Sequence, residues 1–255
     1  KCKVKILSGS HPGIRLSCLV EVTEDIDVEL LGREKEGKVL TTGYVPEFEK
    51  EFRDGYGVAV DIGTTTAALD LVRLSDGEVL GCGSMLNAQK KFGQDVLTRI
   101  TYEYEHPETG IEELQKAIVD SLNAEIRKLC AEAGIEEKEI REIDVAANCT
   151  MMHMLLGVDA RSIGRAPYQP VFTKAQILSA VEIGLAGGEN TVLYCLPSVS
   201  AYIGADIVAG ARVCGLHEEK ERVLFIDIGT NGEIVLASDG HLLSCSCAAG
   251  PALEG

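Results

Sequence analysis

Two short strings carry the residues most able to do chemistry: Val60-Asp61-Ile62-Gly63-Thr64-Thr65-Thr66 and Ile226-Asp227-Ile228-Gly229-Thr230-Asn231-Gly232. Each puts an Asp at the end of an apolar run, then a glycine, then small hydrogen-bonding side chains. Gly63 and Gly229 let a backbone come close to a phosphate. The N–H groups that follow form an anion nest, and Thr64, Thr65, Thr66, Thr230 and Asn231 add donors. Asp61 and Asp227 would repel a polyphosphate directly. They fit a Mg²⁺ held through water, because Mg²⁺ keeps its waters and pairs with phosphate. Glu233, just after the second string, begins an apolar strand. One Asp-x-Gly is an ordinary tight turn. A matched pair reads as a clamp on one nucleotide, able to open and close with nucleotide state.

The elements that must position these strings repeat as well. Each string sits between strands, and each is followed by a turn, Ser75-Asp76-Gly77 in one case and Ser238-Asp239-Gly240 in the other, that leads into a further apolar strand. A duplicated strand–turn–strand–turn–strand unit predicts two similar lobes. Between the copies, apolar residues at 111, 114, 118, 122, 126, 129 and 133 mark one face of a long helix stopped by Gly134. Ile143–Ala147 reads as a strand, Met151–Leu156 as helical, and Thr191–Leu196 as a strand followed by a helix through about Val213. The class is α/β, and strand ends in such sheets form the ligand crevice.

Other segments admit two readings. Ser84–Ile100 packs Asn, Gln, Asp and Arg around Gly93, and Asp95 and Arg99 at i,i+4 form either a surface pair or part of a site. Asn148 and Thr150 follow a strand and open a helix. Either caps the helix, or reaches phosphate or a bound water from the strand end. His153, among methionines, reads as a packed histidine. Cys245 and Cys247 share a strand face, with no second pair to make a metal site.

Composition narrows the classes. The net charge of −16 argues against nucleic acid and anionic membranes as partners. No apolar run reaches the roughly 18 residues of a membrane span. Nine cysteines, an odd number without regular spacing, suit a reducing compartment, so the cytoplasm is expected. The chain opens on Lys1 and closes on a Gly-Pro turn, and both ends read as cut from a longer protein. Lys1 to Leu31 is strand-rich, with strands expected at Lys3–Leu7, Ile14–Val20 and Ile26–Leu31. Residues 32–55 are polar and read as a linker, and 56–255 is the α/β region.

Two DIGT loops on duplicated lobes resemble the acetate kinase, sugar kinase, heat-shock chaperone and actin superfamily. The strings NAQKKFGQDVLTRI, VAANCTMMHMLLGVDARSIGRAPYQPVF, LPSVSAYIGADIVAG, FIDIGTNGEIVLA and CSCAAGPALEG, in that order, narrow the resemblance to the ATP-dependent reductive activators of corrinoid proteins. The resemblance implies duplicated ribonuclease H-like, actin-like ATPase lobes, preceded by part of a 2Fe–2S ferredoxin-like domain. It implies ATP and Mg²⁺ in the cleft, with Gly250 at the nucleotide and Glu233 as a weaker candidate to orient the attacking water, the alternative being that Glu233 only sits at a strand mouth. It implies Cys2 and Cys18 as two of four cluster ligands, where the residues alone read equally as ordinary strand cysteines. The implied activity passes an electron to cobalt(II) of a corrinoid iron–sulfur protein or corrinoid-dependent methyltransferase, regenerating cobalt(I) for methyl transfer. A homodimer is compatible. Other readings are a 2-hydroxyacyl-CoA dehydratase activator, another kinase-superfamily ATPase, or a non-redox nucleotide-dependent binding protein. The isolated 255 residues are expected to turn over ATP weakly or not at all.

Overall fold

The computed structural model describes residues 3–9, 11–16, 20–30, 53–229 and 231–247. The first stretch forms a small antiparallel sheet of β1 (Lys3–Ile6), β2 (Gly13–Leu16) and β3 (Val28–Leu30), ordered β2-β1-β3. The third strand begins two residues later than the sequence predicts, and residues 17–19 and 31 of the expected second and third strands lie outside the described residues. The expected linker falls mostly outside the described residues.

The main sheet begins with β4 (Tyr56–Ile62), β5 (Thr66–Arg73) and β6 (Glu78–Leu86), an antiparallel meander. Helices α1 (Val96–Glu105) and α2 (Gly110–Ala133) follow. The chain then re-enters the sheet as β7 (Ile140–Ala147), parallel to β4, and continues into helix α3 (Cys149–Leu156). An antiparallel edge strand β8 (Gln176–Ser179) and the strand β9 (Val192–Cys195), parallel to β7, complete the order β6-β5-β4-β7-β9-β8. This is the ribonuclease H-like arrangement expected, with β8 as an addition that the sequence reading did not contain.

Period-two alternation explains how the sheet is used. Val58, Val60, Ile62, Leu69 and Leu71 point to one face and are buried with Leu114, Ile118, Leu122, Ile126 and Leu129 of α2. Those α2 residues are the stripe read from the sequence, and Gly134 ends the helix at φ 71°. The opposite face is small and acidic. Ala59, Asp61, Ala68, Asp70, Asp144 and Ala146 line it, paired across strands as Asp61 with Ala68 and Ala146, and Ala59 with Asp70 and Asp144.

Helix α4 (Ala205–Val213) lies against that acidic face. Its other side meets a second antiparallel sheet, β10 (Val223–Ile228), β11 (Gly232–Ser238) and β12 (His241–Cys247). Ile203, Ile207, Ala211 and Leu216 pack there against Val235 and Ala237. This meander repeats β4-β5-β6, as the duplicated motif predicts.

Candidate active-site cleft

The first loop turns tightly between β4 and β5. A side chain at Gly63 would sit 2.7 Å from the Thr66 carbonyl oxygen, so only glycine fits. Three consecutive carbonyls of this loop are drawn inward. Asn87 Nδ2 donates to Gly63 O at 2.9 Å, Arg99 to Thr64 O at 2.5 Å, and the Asn87 N–H to Thr65 O at 2.9 Å. Among the described residues the Thr64 and Thr65 N–H groups have no protein partner. With the carbonyls held behind, those N–H groups are what the loop offers a ligand.

Asn148 is the helix cap, the first of the two readings of its position, and it also braces the loop. Its Oδ1 accepts from the Met151 N–H at 2.9 Å and caps α3, while its Nδ2 donates to Thr64 Oγ1 at 3.1 Å. Thr64 is therefore a buried strut of the loop, 7% exposed, while Thr65 and Thr66 are only half-buried.

Four carboxylates gather at the adjoining strand ends and the head of α4. Asp227 and Glu233 are directly opposed across β10 and β11. Desolvation and the like charges of Asp206 and Asp227 push Asp61 up to about 6, although its carboxyl stays within reach of solvent. Glu233 is pushed up to about 7 by desolvation and then by the same two aspartates, partly offset by a bond with Ser246. Asp206 is raised chiefly by burial, while the Ile207 N–H bonds its carboxylate at 2.9 Å. None of the four is in an ion pair among the described residues. Like charges opposite one another on a sheet are destabilising, so the arrangement fits a cation that is not part of the chain. No three His, Cys, Asp or Glu among the described residues are close enough to chelate a metal directly. A magnesium ion reached through its own waters suits such a set.

The acidic face opens into a cleft of about 950 Å³ that includes Asp61, Asp70, Asp144, Tyr194 and Arg212. Burial and then Glu142 push Asp144 up to about 6. At the end of this cleft the head of α4 touches the β7–α3 junction. The Gly204 Cα faces backbone, and an added Cβ would lie 2.5 Å from Asn148 Cα and 2.8 Å from Ala147 O. Gly204→Ala is expected to cost about 1–3 kcal/mol through overpacking, measured by denaturant unfolding. An unchanged midpoint would contradict this contact.

The structure thus brings Asp61, Gly63, Thr64, Thr65, Thr66 and Asn148 together, with Asp227 and Glu233 in the same electrostatic neighbourhood. Gly229 and Asn231 form the β10–β11 turn, closed by Gly229 N–H to Asn231 O at 3.0 Å. Thr230, Gly250, Cys2 and Cys18 lie outside the described residues. Cys245 and Cys247 stand exposed on β12. One residue was missed. Asp206, one position into a helix opened by Gly204-Ala205, is signalled only by an acid at a helix head next to a small-residue pair. Arg99 was left open between a surface pair with Asp95 and part of a site, and the structure removes the surface pair. Asp95 caps α1 through Thr98 at 2.8 Å, and Arg99 turns inward, wholly buried.

His153 is packed, as expected. It is buried and stacked on Phe172 at 4.2 Å. Its Nε2 accepts from the Val171 N–H at 3.1 Å, which places the proton on Nδ1, 2.8 Å from Cys149 O. Burial lowers its pKa below the ordinary 6.5 of an imidazole. The neutral form is bound preferentially in the fold, so its contribution is complete above pH 6.5 and is lost as pH falls towards the lowered value. His153→Asn should lower stability at pH 7.5 and reduce the wild-type loss between pH 6.5 and 5.5, read by thermal melting. A wild-type slope retained in the variant would contradict the assignment.

Comparison with known proteins places these features in a family. The RACo middle region matches residues 56–219, and the C-terminal domain of RACo, the ASKHA domain, matches residues 221–255. The chain is 35% identical over 212 residues to the corrinoid activation enzyme RamQ of Eubacterium limosum, covering 83% of this chain and 35% of that protein. It is 24% identical over 209 residues to the [Co(II) methylated amine-specific corrinoid protein] reductase of Methanosarcina barkeri, covering 78% of this chain and 37% of the relative. A solved structure titled as a reductive activator for corrinoid, iron–sulfur protein superposes with a TM-score of 0.76 at 44% identity, over 79% of this chain and 32% of the other. The chain spans about a third of the length of these relatives. With a glycine–threonine loop held by its carbonyls, a repeated meander and a family match over most of its length, the chain belongs to the RACo family, with the ASKHA-type α/β fold.

Proposed function

We propose that the protein containing this chain uses ATP to drive reduction of a corrinoid protein's cobalt(II) to cobalt(I), readying it for methyl transfer. The observation that carries the ATP half is the Gly63–Thr65 loop, whose three carbonyls are held inward beside an unpaired carboxylate cluster. The corrinoid half rests on the relatives' names. In this reading residues 56–255 are the ATPase lobes, 1–31 part of a cluster domain, and 32–55 the link between them.

The loop N–H groups with Thr65 and Thr66 bind phosphate from one lobe, and Gly229, Thr230 and Asn231 from the other, with Gly250 close by. Asp61 and Asp227 would hold a Mg²⁺ through its waters, and the ion would supply charge neutralisation to the phosphates. Glu233, pushed up to about 7, is poised to orient and take a proton from the attacking water. Asp206 adds a carboxylate at the head of α4, the helix wedged between the sheets, and so senses the same charge. Hydrolysis resets the two lobes and phosphorylates no metabolite. Cys2 and Cys18 would be among the ligands of a 2Fe–2S cluster, which would supply the electron. The partner is a corrinoid iron–sulfur protein or corrinoid-dependent methyltransferase, met in the cytoplasm, with the activator working as a homodimer. No helix among the described residues is long and apolar enough to cross a membrane.

The fate of the γ-phosphate tests this reading. Release to water, faster with a cobalt(II) corrinoid protein present, is expected. Stoichiometric transfer to a small-molecule acceptor would make the protein a kinase instead.

A further inference from the structure

Arg99 is the largest fully buried side chain described. Its bonds run to Thr64 O at 2.5 Å, Gly93 O at 2.9 Å, Met151 Sδ at 3.1 Å and Gln89 Oε1 at 3.4 Å. Every one of these acceptors is neutral. Among the described residues no carboxylate comes within ion-pair distance of it. Asp95, whose charge acts on it through space, is committed to the cap of α1. Glu103, one turn further along α1, is also buried, but its Oε2 accepts from the Ala160 N–H at 3.0 Å. Burial pulls Arg99 down to about 10, which still leaves it charged at neutral pH.

A buried charge without a counter-ion is costly, and proteins pair such charges or lose them. This one sits one peptide group behind the loop that faces the proposed phosphates. Donors on its front side and a cation on its back add a positive contribution at the loop, opposite in sign to the carboxylates beside it, in a low-dielectric setting where charges interact strongly.

We propose that Arg99 is a positioning residue for polyphosphate: it fixes the Gly63–Thr65 loop from behind, and the bound phosphate is the counter-ion that this buried guanidinium otherwise lacks. The inference rests on the ATP reading above. It makes nucleotide affinity depend on Arg99 charge as well as on loop shape. A structural arginine would affect the nucleotide-free fold alone.

The test uses the full-length protein and the variants Arg99→Lys, Arg99→Gln and Arg99→Met, with Glu103→Gln as a control for the packing of α1. Melting temperature is measured alone and with MgATP or MgADP, and affinity by calorimetry. In Arg99→Met and Arg99→Gln, MgATP affinity is expected to fall at least about tenfold, with a smaller loss for MgADP and with the nucleotide-induced melting shift reduced accordingly. Arg99→Lys, which keeps the charge, should bind MgATP more tightly than Arg99→Gln, which keeps donors but no charge. Glu103→Gln should keep wild-type affinity whatever its melting temperature alone. If Arg99→Met does not fold, the Lys-against-Gln order decides. Wild-type affinity in the uncharged variants, or Gln above Lys, would overturn the proposal. A wild-type protein that binds no MgATP would sink the ATP reading and this inference together.

Discussion

Asp61→Asn or Asp227→Asn is expected to lower ATP turnover at least about a hundredfold, while Asp61→Asn raises the melting temperature of the nucleotide-free protein. The two signs follow from one arrangement. Asp61, Asp206, Asp227 and Glu233 share a neighbourhood without a compensating Lys or Arg among the described residues, and burial first, then the like charges, raise Asp61. Removing one charge relieves that repulsion in the empty protein. It also removes a group that holds the metal's waters against the phosphates, the kind of electrostatic contact whose loss costs factors of hundreds or more in rate. An aspartate needed only for folding would lose stability on substitution. Steady-state phosphate release and thermal melting on the same samples check both signs, and a destabilised, fully active Asp61→Asn would contradict the assignment.

Magnesium is expected to stabilise the protein by several degrees at pH 8 and by little at pH 5.5. Glu233 goes from an ordinary 4.5 to about 7 on folding, and Asp61 from 3.8 to about 6. Groups with raised folded values bind more protons in the fold than in the unfolded chain across those windows, so they weaken the fold as pH rises from about 4 to 7. A divalent cation offsets that loss where the carboxylates are ionised and competes with protons where they are not. Stabilisation through binding grows with the logarithm of metal concentration. Melting curves over a magnesium titration at the two pH values check it. Equal stabilisation at both would place the metal elsewhere.

What could be read beforehand followed from periodicity and from spacing. The α2 stripe at Leu114, Ile118, Leu122, Ile126 and Leu129 and the alternation of β4 are one-dimensional signals, and they set both faces of the main sheet. The repeated Asp-Ile-Gly-Thr strings predicted the second meander. Asn148 as a helix cap and His153 as a packed ring followed from local chemistry. Arg99 did not. The i,i+4 rule offers an arginine the nearest acid on its own helix, whereas this one bonds a carbonyl 35 residues away. Nothing local marks a carbonyl as the partner of a buried cation. Asp206 was hidden for a related reason: its neighbours Asp61, Asp227 and Glu233 are brought to it by the packing of α4 between the two sheets. The edge strand β8, four residues with one face in solvent, carries too short an alternation to stand out.

The coupling of ATP to electron transfer is the central claim, and the appearance of cobalt(I) tests it most directly. The reduced full-length protein is mixed with a cobalt(II) corrinoid protein, and the cobalt(I) absorbance is followed with MgATP, with a non-hydrolysable analogue, and with Asp61→Asn plus MgATP. The account predicts rapid, extensive cobalt(I) formation only in the first case. Equal yields and rates with and without hydrolysable ATP would contradict it.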